Sequence, residues 1–342
     1  MNNEIHKIEH TSSLLNKKWK LIDYDERNAS YLSQKFKLST FVGKLLSIRH
    51  IKEENIDFYL SPDINQHIPN PNNIKDMTLA TLRVVEAIKK NQKIGIIADY
   101  DVDGSTSASI LYKFLKNYNS SIILKIPNRL VDGYGPNLKI MREMQLQNID
   151  LLFTLDCGTT SNNIIDNEEF KKIDVIVIDH HLVDHELPNV HSIINPNRFD
   201  DESDYKQMAA VGVTFLFLMS LRKELRNHNI FNNKKEPNLL SYLDLVALGT
   251  VCDVVELKQF NRLFVLKGLE LIHKRYHKGI SKLIDNSKLN TPPSSQDLGY
   301  IVGPQINAAS RIDDSSLASK LLITNDVEQI EKISRKLYLL NE

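Results

Sequence analysis

Four short apolar runs rich in β-branched residues alternate with helical segments in the middle of this chain, and this alternation constrains the fold most strongly. Continuous apolar runs of strand length are typical of a parallel sheet that is buried on both faces. In chain order the runs end at Asp99, Ile126, Asp156 and Asp179. The sequence therefore predicts an α/β fold with a mostly parallel, doubly wound sheet.

The pattern becomes helical after about residue 205, which predicts a helical subdomain beside the sheet. A chain of 342 residues with 42% hydrophobic and 25% charged residues can bury a substantial core and form about two domains. We expect a helical or irregular N-terminal region over 1–70 and a main domain over 71–312. Within the main domain, the sheet part covers about 91–200 and the helical part about 205–312.

The charge balance excludes one class of nucleic-acid-binding protein. Lys and Arg together number 43, as do Asp and Glu, so the formal net charge is zero. A polybasic protein that binds nucleic acid through bulk charge is therefore excluded, whereas an enzyme with a local basic groove is not.

The cysteines and the apolar runs predict a cellular location. Cys157 and Cys252 are too few for a disulfide framework and lack CxxC spacing, which indicates a reducing compartment. The N-terminal segment has no apolar signal-peptide core, and the longest apolar run, 209–221, is too short to span a bilayer. We expect a cytoplasmic protein without a membrane association.

Three of the four predicted strands end in an aspartate: Asp99, Asp156 and Asp179. Because ligands bind at the carboxyl ends of strands in open parallel sheets, these acids should converge at one edge. Each one alone could simply cap a helix, a role that Asp performs well. Three together, each beside further polar residues, indicate a metal site.

The first acidic cluster is DYDVDGST, in which Asp99, Asp101 and Asp103 precede Gly104. Three carboxylates within five residues repel one another strongly unless cations lie between them. A calcium-binding EF-hand is excluded because Ile110 stands where that loop needs a bidentate Glu, and a P-loop is excluded because no GxxxxGK is present. Gly104 begins a helix whose free N–H groups could bind a phosphate oxygen.

Two further candidates for metal ligation follow along the chain. Adjacent side chains at a strand end point to opposite sides, so one of His180 and His181 could ligate an ion while the other faces substrate. A surface position without function is the alternative for such a pair. Asp253 lies in an apolar stretch, where a carboxylate is costly to bury unless it is paired or metal-bound. Mixed Asp and His ligands without cysteine favour manganese or magnesium over structural zinc.

The motifs DYDVDG, LDCG, IDHH and GTVCDVV, in this order and spacing, resemble the four motifs of the DHH phosphoesterase superfamily. The resemblance is closest to the RecJ exonuclease family and covers roughly residues 40 to 342. It includes four further segments: FYLSPDI, IPNRLVDGYGPN, AAVGVTF and GPQINAASRI.

This resemblance implies a 5′-to-3′ exonuclease that hydrolyses single-stranded DNA in repair and recombination with two Mn²⁺ or Mg²⁺ ions. The implied ligands of one ion are Asp103, Asp156, His180 and Asp253. Those of the other are Asp101 and Asp156, with Asp99 nearby. Asp156 would bridge both ions, His181 would face the scissile phosphate, and Asp179 would orient a neighbour. The candidate substrate-binding residues are Gly104, Ser105, Arg129, Asn307 and Arg311. Single-stranded DNA is the implied partner, together with a single-strand-binding protein or a helicase.

Three departures from the family pattern bear on activity. Ile97 stands where the family usually has a His, and Gln305 replaces an Arg expected to contact phosphate. The family also continues into C-terminal substrate-binding and OB domains, so we expect residues 313–342 to begin the linking helix and those domains to be absent. Two alternatives therefore stay open: a DHH-type phosphodiesterase on short oligonucleotides or cyclic dinucleotides, and an inactive DHH-fold protein that binds nucleic acid.

Overall fold

The computed structural model describes residues 14–17, 22–119, 121–183, 186–233 and 235–342. The chain divides into two compact units, Met1–Asp63 and Ile64–Glu342. The division lies close to the boundary predicted near residue 70. Within the predicted N-terminal region, residues 1–13 and 18–21 lie outside the described residues.

The described residues of the first unit include three α-helices. Its helices pack around a small core of Leu32, Leu46 and Ile56. The first helix is capped by Asp25, whose side chain accepts backbone N–H bonds from Arg27 and Asn28. The helices are α1 (Glu26–Lys35), α2 (Thr40–Ile48) and α3 (Ile56–Leu60).

The second unit is built on a sheet whose five strands, among the described residues, are all parallel and lie in the order β2-β1-β3-β4-β5. The strands are β1 (Ile94–Ala98), β2 (Ile122–Lys125), β3 (Leu151–Leu155), β4 (Asp174–Ile178) and β5 (Ser192–Ile194). The first four are the predicted strands. The predicted α/β class is confirmed, and β5 is an addition that the sequence analysis missed.

Helices cover both faces of the sheet. Ile140 packs with Leu152 and Val177 on one face, while Phe153 contacts Phe217 edge-to-face on the other, with ring centroids 5.8 Å apart. The helices of this unit are α4 (Ile64–His67), α5 (Met77–Lys89), α6 (Val102–Leu115), α7 (Leu138–Leu146), α8 (Asn162–Ile165), α9 (Ala210–Asn227), α10 (Leu243–Cys252), α11 (Gln259–His273), α12 (Lys278–Asn286), α13 (Ser295–Asp297), α14 (Gly303–Ile312), α15 (Leu317–Ile323) and α16 (Val327–Asn341). The sheet is thus doubly wound, with a helical part after it, as predicted.

The strand order creates one crevice at the carboxyl edge of the sheet. From β1 the chain crosses to β2 on one side and then to β3 on the other, so the order switches direction between β1 and β3. Ligands of open α/β sheets bind at such a switch point. Asp99 and Asp156 directly follow these two strands.

Residues 313–342, predicted as the beginning of a linking helix, contain two helices that pack within the second unit. Helix α15 contacts α6, and α16 contacts α12 and α14. Ile330 and Leu337 of α16 are buried in this packing. In the described part of the chain, no helix combines the length and apolar character needed to cross a bilayer.

Candidate metal centre

The acidic loop after β1 is shaped by a glycine. A Cβ on Gly104 would lie 2.4 Å from the backbone oxygen of Asp99, so a larger residue would push the loop apart. Asp101 caps helix α6, because its Oδ1 accepts the N–H of Gly104 at 2.9 Å. The loop therefore turns back on itself and brings its carboxylates to the edge of the sheet.

Asp103 joins the sheet part to the helical part. Its Oδ2 accepts the N–H of Ala210 at 2.6 Å, and its Oδ1 accepts the N–H of Val211 at 2.8 Å. These are the first residues of α9, where unpaired N–H groups and the helix dipole favour a negative charge. The carboxylate is only 1% exposed, so this helix end compensates part of the cost of its burial.

Asp156 is held in an unusual backbone conformation at the end of β3. Its φ is +59°, which is the left-handed region that few non-glycine residues adopt. The hydroxyl of Tyr134 donates a hydrogen bond to the Asp156 backbone oxygen at 2.9 Å. Two residues later, Gly158 has a φ of +108°, and a Cβ there would lie 2.5 Å from the Thr154 hydroxyl. This turn directs the buried Asp156 side chain towards the switch point.

His180 lies among three carboxylates from three separate segments. Its Nε2 is 3.3 Å from Asp156 Oδ1 and 3.8 Å from Asp103 Oδ2, and its Nδ1 is 3.6 Å from Asp253 Oδ2. Asp253 reaches this position because it immediately follows α10. Burial and the neighbouring His181 lower the pKa of His180, so its ring is neutral and can offer a lone pair.

His181 pairs with Asp179 instead. Its Nδ1 lies 2.7 Å from Asp179 Oδ1, while Thr159 donates to Asp179 Oδ2 through its hydroxyl at 2.7 Å and its backbone N–H at 3.1 Å. Although burial alone would raise it, these hydrogen bonds hold the pKa of Asp179 well below its usual range. The hydrogen bond with Asp179 raises the pKa of His181, whose side chain remains 46% exposed.

Within the described residues, the ligand-type atoms form three overlapping groups, and in each group they lie within 4.8 Å of one another. The groups share members, since Asp156 belongs to two of them and His180 to two. They are Asp99 with Asp101 and Asp156, Asp103 with His180 and Asp253, and Asp156 with His180 and His181. The structure thus brings together every metal ligand that the sequence analysis predicted.

Two observations show that this donor set fits divalent cations. Burial and then the neighbouring Asp101 raise the pKa of both Asp99 and Asp253 to about 7, and burial and other acids also raise the pKa of Asp103 and Asp156. Several buried acids that lie close together are unfavourable unless cations bind between them.

The second observation concerns unpaired atoms. Among the described residues, Asp156 Oδ1, His180 Nε2 and Asp253 Oδ2 are buried without a hydrogen-bond partner. Asp156 Oδ1 and His180 Nε2 lie only 3.3 Å apart, but not in hydrogen-bonding geometry. Unpaired oxygen and imidazole donors that face one another are the arrangement a Mn²⁺ or Mg²⁺ site requires.

The comparisons with known proteins point to the same chemistry. Residues 93–250 match the model of the DHH family, N-terminal domain, and this range contains most of the acidic cluster. The RecJ single-stranded-DNA-specific exonuclease of Haemophilus influenzae is 36% identical over 305 residues, which cover 88% of this chain and 52% of that protein. This chain therefore contains the N-terminal domain of the DHH family.

Solved structures of RecJ proteins resemble this fold. An exonuclease RecJ bound to manganese is 30% identical with a TM-score of 0.69, over 78% of this chain and 66% of that one. RecJ from Thermus thermophilus in complex with Mn²⁺ is 25% identical with a TM-score of 0.77, over 94% of this chain and 44% of that one. This DHH chain spans about half the length of the curated relatives it matches.

Two of the predicted substrate-binding residues in this DHH domain are buried in the structure. Ser105 is fully buried, and among the described residues its hydroxyl has no hydrogen-bond partner. The N–H of Gly104 already bonds the Asp101 side chain and is not free for a phosphate. The sequence predicted the start of the helix, but it could not show that the capping residue, Asp101, accepts the Gly104 N–H.

The other three predicted substrate contacts are accessible. The Arg129 guanidinium lies over the ring of Tyr100, 5.3 Å from its centroid, beside the acidic loop. Asn307 and Arg311 line a cleft of about 320 Å³ together with Cys252, the residue before Asp253. The cleft therefore opens next to the segment that carries a predicted metal ligand.

The two departures that are substitutions, at positions 97 and 305, both face the protein interior. Ile97 is fully buried in the apolar cluster formed with α7, and Gln305 is 1% exposed. Gln305 Nε2 donates to the Ser287 hydroxyl at 2.8 Å and to the Ile301 backbone oxygen at 2.9 Å. Gln305 is therefore directed into the interior, which agrees with the expected loss of a phosphate contact at this position.

Two residues of the centre were missed by sequence reasoning. Tyr134 bonds the Asp156 backbone and contacts the His181 ring edge-to-face, with centroids 6.2 Å apart. Asn195, which follows β5, donates to the His181 backbone oxygen at 2.9 Å and to the Thr159 hydroxyl at 3.1 Å. The polar residue after the short run HSII was the available signal, because it follows a strand end as Asp156 does.

Proposed function

We propose that this chain is a metal-dependent phosphodiesterase that removes nucleotides from the 5′ end of single-stranded DNA. One observation carries the proposal: the buried Asp156 carboxylate lies at the switch point of the sheet and belongs to two groups of possible metal ligands. One group contains Asp99 and Asp101, and the other contains His180 and His181. The similarity to RecJ exonucleases supports single-stranded DNA as the substrate. A role in DNA repair and recombination is part of the same proposal.

The residues divide between two cation sites. Asp103, Asp156, His180 and Asp253 would hold one ion, and Asp99, Asp101 and Asp156 the other. Bound at this centre, a pair of Mn²⁺ or Mg²⁺ ions would supply an activated water and neutralise charge on the phosphodiester. Asp156 would belong to both sites, and the Tyr134 hydroxyl, which bonds its backbone oxygen, would hold its turn in place.

His181 is the residue we assign to the substrate phosphate. Its Nδ1 is committed to Asp179, so Nε2 remains to meet a ligand. Its raised pKa favours the imidazolium, which donates an N–H from Nε2 to a phosphoryl oxygen. The pairing with Asp179 keeps the ring oriented while the proton is held at Nε2, as a buried acid does for catalytic histidines in other hydrolases.

The strand itself would be held by cations outside the acidic cluster. Arg129 and Arg311 are the candidates, because each lies beside a segment that carries a metal ligand. Guanidinium groups suit this task, since they bind phosphate oxygens in pairs and stay charged. A single-strand-binding protein or a helicase as partner, and a cytoplasmic location, belong to this proposal.

The test is release of nucleotides from 5′-labelled single-stranded DNA in the presence of Mn²⁺. Duplex DNA, a dinucleotide and a cyclic dinucleotide serve as competing substrates. We expect the wild type to degrade the single strand and Asp156→Asn to lose about 100-fold or more of that activity, because both sites lose a charged ligand. Asp204→Asn, which removes an exposed carboxylate outside the cluster, is the matched control and should retain activity.

The outcomes separate the alternatives. Preference for a dinucleotide or cyclic dinucleotide would replace the exonuclease proposal with a short-substrate phosphodiesterase. Binding of the single strand without Mn²⁺-dependent hydrolysis would identify an inactive nucleic-acid-binding protein. Equal activity of the Asp156→Asn and wild-type chains would refute the catalytic centre.

A further inference from the structure

A second cleft lies at the opposite end of α6 from the metal centre. Its volume is about 300 Å³, and its lining includes Lys113 from the last turn of α6. Lys113 follows Asp103 by about 15 Å along the helix axis, at 1.5 Å per residue. A ligand in this cleft therefore cannot be the group that touches the metal ligands.

The ammonium of Lys113 carries more N–H donors than the surrounding residues offer acceptors. It donates to the Leu322 backbone oxygen at 3.2 Å, and that oxygen also accepts from His277 Nε2 at 2.8 Å. His277 is neutral, because burial and the adjacent Lys113 lower its pKa to about 4. His277 Nδ1 accepts the N–H of Ile280, so the ring proton is on Nε2 and is donated to Leu322. His277 Nε2 lies 3.3 Å from Lys113 Nζ but in this tautomer offers it no acceptor, so Lys113 retains unused N–H groups.

The remaining walls add cationic, hydroxyl and aromatic groups. Lys278 and the hydroxyl of Tyr242 have no hydrogen-bond or ion-pair partner within the part of the chain that the structure describes. Tyr276 is 62% exposed, which leaves its ring available for stacking. His277 and Lys278 are the cap and first residue of α12, so the positive end of this helix borders the cleft.

The described residues that line the cleft include no carboxylate. Asp244, whose charge acts on Lys113, is fully buried, and in the described part of the chain it forms no ion pair with Lys113. The cleft thus presents two ammonium groups, hydroxyl donors and an exposed aromatic ring to a ligand. A ligand that complements it carries several anionic acceptors and a flat ring.

We propose that this cleft binds the phosphate of a nucleotide, with the base stacked on Tyr276. Its volume is enough for one nucleotide, and ammonium groups with an aromatic platform are the combination that binds single nucleotides of a strand. The site goes beyond the proposed nuclease centre because it uses no metal and none of its residues. The nucleotide is either a free nucleoside monophosphate or one residue of a DNA strand.

Calorimetric titration of the full chain in EDTA tests the site. Without metal, the acidic centre repels phosphate. Nucleotide binding that is measured in EDTA therefore reports a site other than the metal centre. Deoxythymidine monophosphate and a short oligothymidylate are the probes. We expect Lys278→Ala and Tyr276→Ala each to weaken binding about tenfold, and Lys113→Met to weaken it further. Lys278 and Tyr276 are exposed, so these two variants should fold normally. Lys223→Met, an exposed lysine on α9, is the matched control.

The two probes distinguish the two sources. Weakened monophosphate binding in the variants assigns the site to a free nucleotide. Weakened oligothymidylate binding with no monophosphate binding by the wild type assigns it to a residue of the strand. Binding of both probes that is unchanged in Lys278→Ala and Tyr276→Ala, or no binding of either, overturns the proposal. Because no hydrolysis is measured, failure of the nuclease assay leaves this result unaffected.

Discussion

The buried acids of the metal centre should make the stability of the metal-free chain depend on pH in an unusual direction. Asp99 is the best position to measure this, because burial and then Asp101 raise its pKa from 3.8 to about 7. Between these values the folded state holds a proton that the unfolded state has lost. The free energy of unfolding should therefore fall as the pH rises through this window, whereas most buried carboxylates stabilise proteins above their unfolded pKa.

The size of the effect follows from the same shift. Between pH 5 and the folded pKa of about 7, the contribution of Asp99 to the free energy of unfolding falls over about two pH units. At 1.36 kcal/mol per unit this is about 3 kcal/mol, and from pH 7 to pH 8 little further change is expected. For a unit of this size, about 3 kcal/mol changes the melting temperature by about 5–10 °C. Asp99→Asn keeps the side-chain oxygen that accepts the Tyr100 N–H but cannot ionise. It should lose this part of the pH dependence.

The assay is thermal unfolding of the wild type and Asp99→Asn in EDTA at several pH values between 5 and 8. The difference between the two melting temperatures should change by about 5–10 °C across the range, with the wild type relatively more stable at pH 5. Mn²⁺ should remove most of this trend in the wild type, because a bound cation favours the ionised carboxylate. A difference that is constant with pH would refute the reasoning.

Three further predictions follow from single contacts. Asp179→Asn should lower the pKa of His181, which NMR titration of its ring proton measures. The alkaline limb of the pH–activity profile should then move to lower pH. An unchanged His181 titration would exclude the pairing with Asp179. Ile97→His should destabilise the fold by about 1–3 kcal/mol, because it buries an unpaired imidazole ring in an apolar cluster. If added Mn²⁺ restored the melting temperature, the new imidazole would instead bind metal. Tyr134→Phe should weaken Mn²⁺ binding several-fold in calorimetry, because the Asp156 turn loses its hydrogen bond, and unaltered affinity would contradict this role.

The sheet and the acidic cluster could be predicted because both depend on short segments of sequence. Each of the four apolar runs is long enough to form a buried strand, and the acids that follow Ala98 and Leu155 must lie at the carboxyl edge once those strands are parallel. The position of Asp253 depends on how α10 packs against α6, which no local pattern shows. Its assignment came from the family resemblance together with its unfavourable apolar surroundings.

The errors arose where a residue's role depends on the direction of its side chain. Ser105 lies in a motif that suggested substrate contact, yet its side chain is fully buried. Gly104 was expected to offer a free amide, but the Asp101 side chain reaches it first. Strand β5 is only three residues long, so its apolar run was too short to distinguish from a loop.

Anomalous diffraction from crystals soaked in Mn²⁺ tests the central claim most directly, because it locates each ion independently of activity. We expect two manganese peaks, one beside Asp99 and Asp101 and the other beside Asp103, His180 and Asp253, with the Asp156 carboxylate contacting both. A single peak, or two peaks of which only one touches Asp156, would contradict the shared carboxylate on which the proposed mechanism depends.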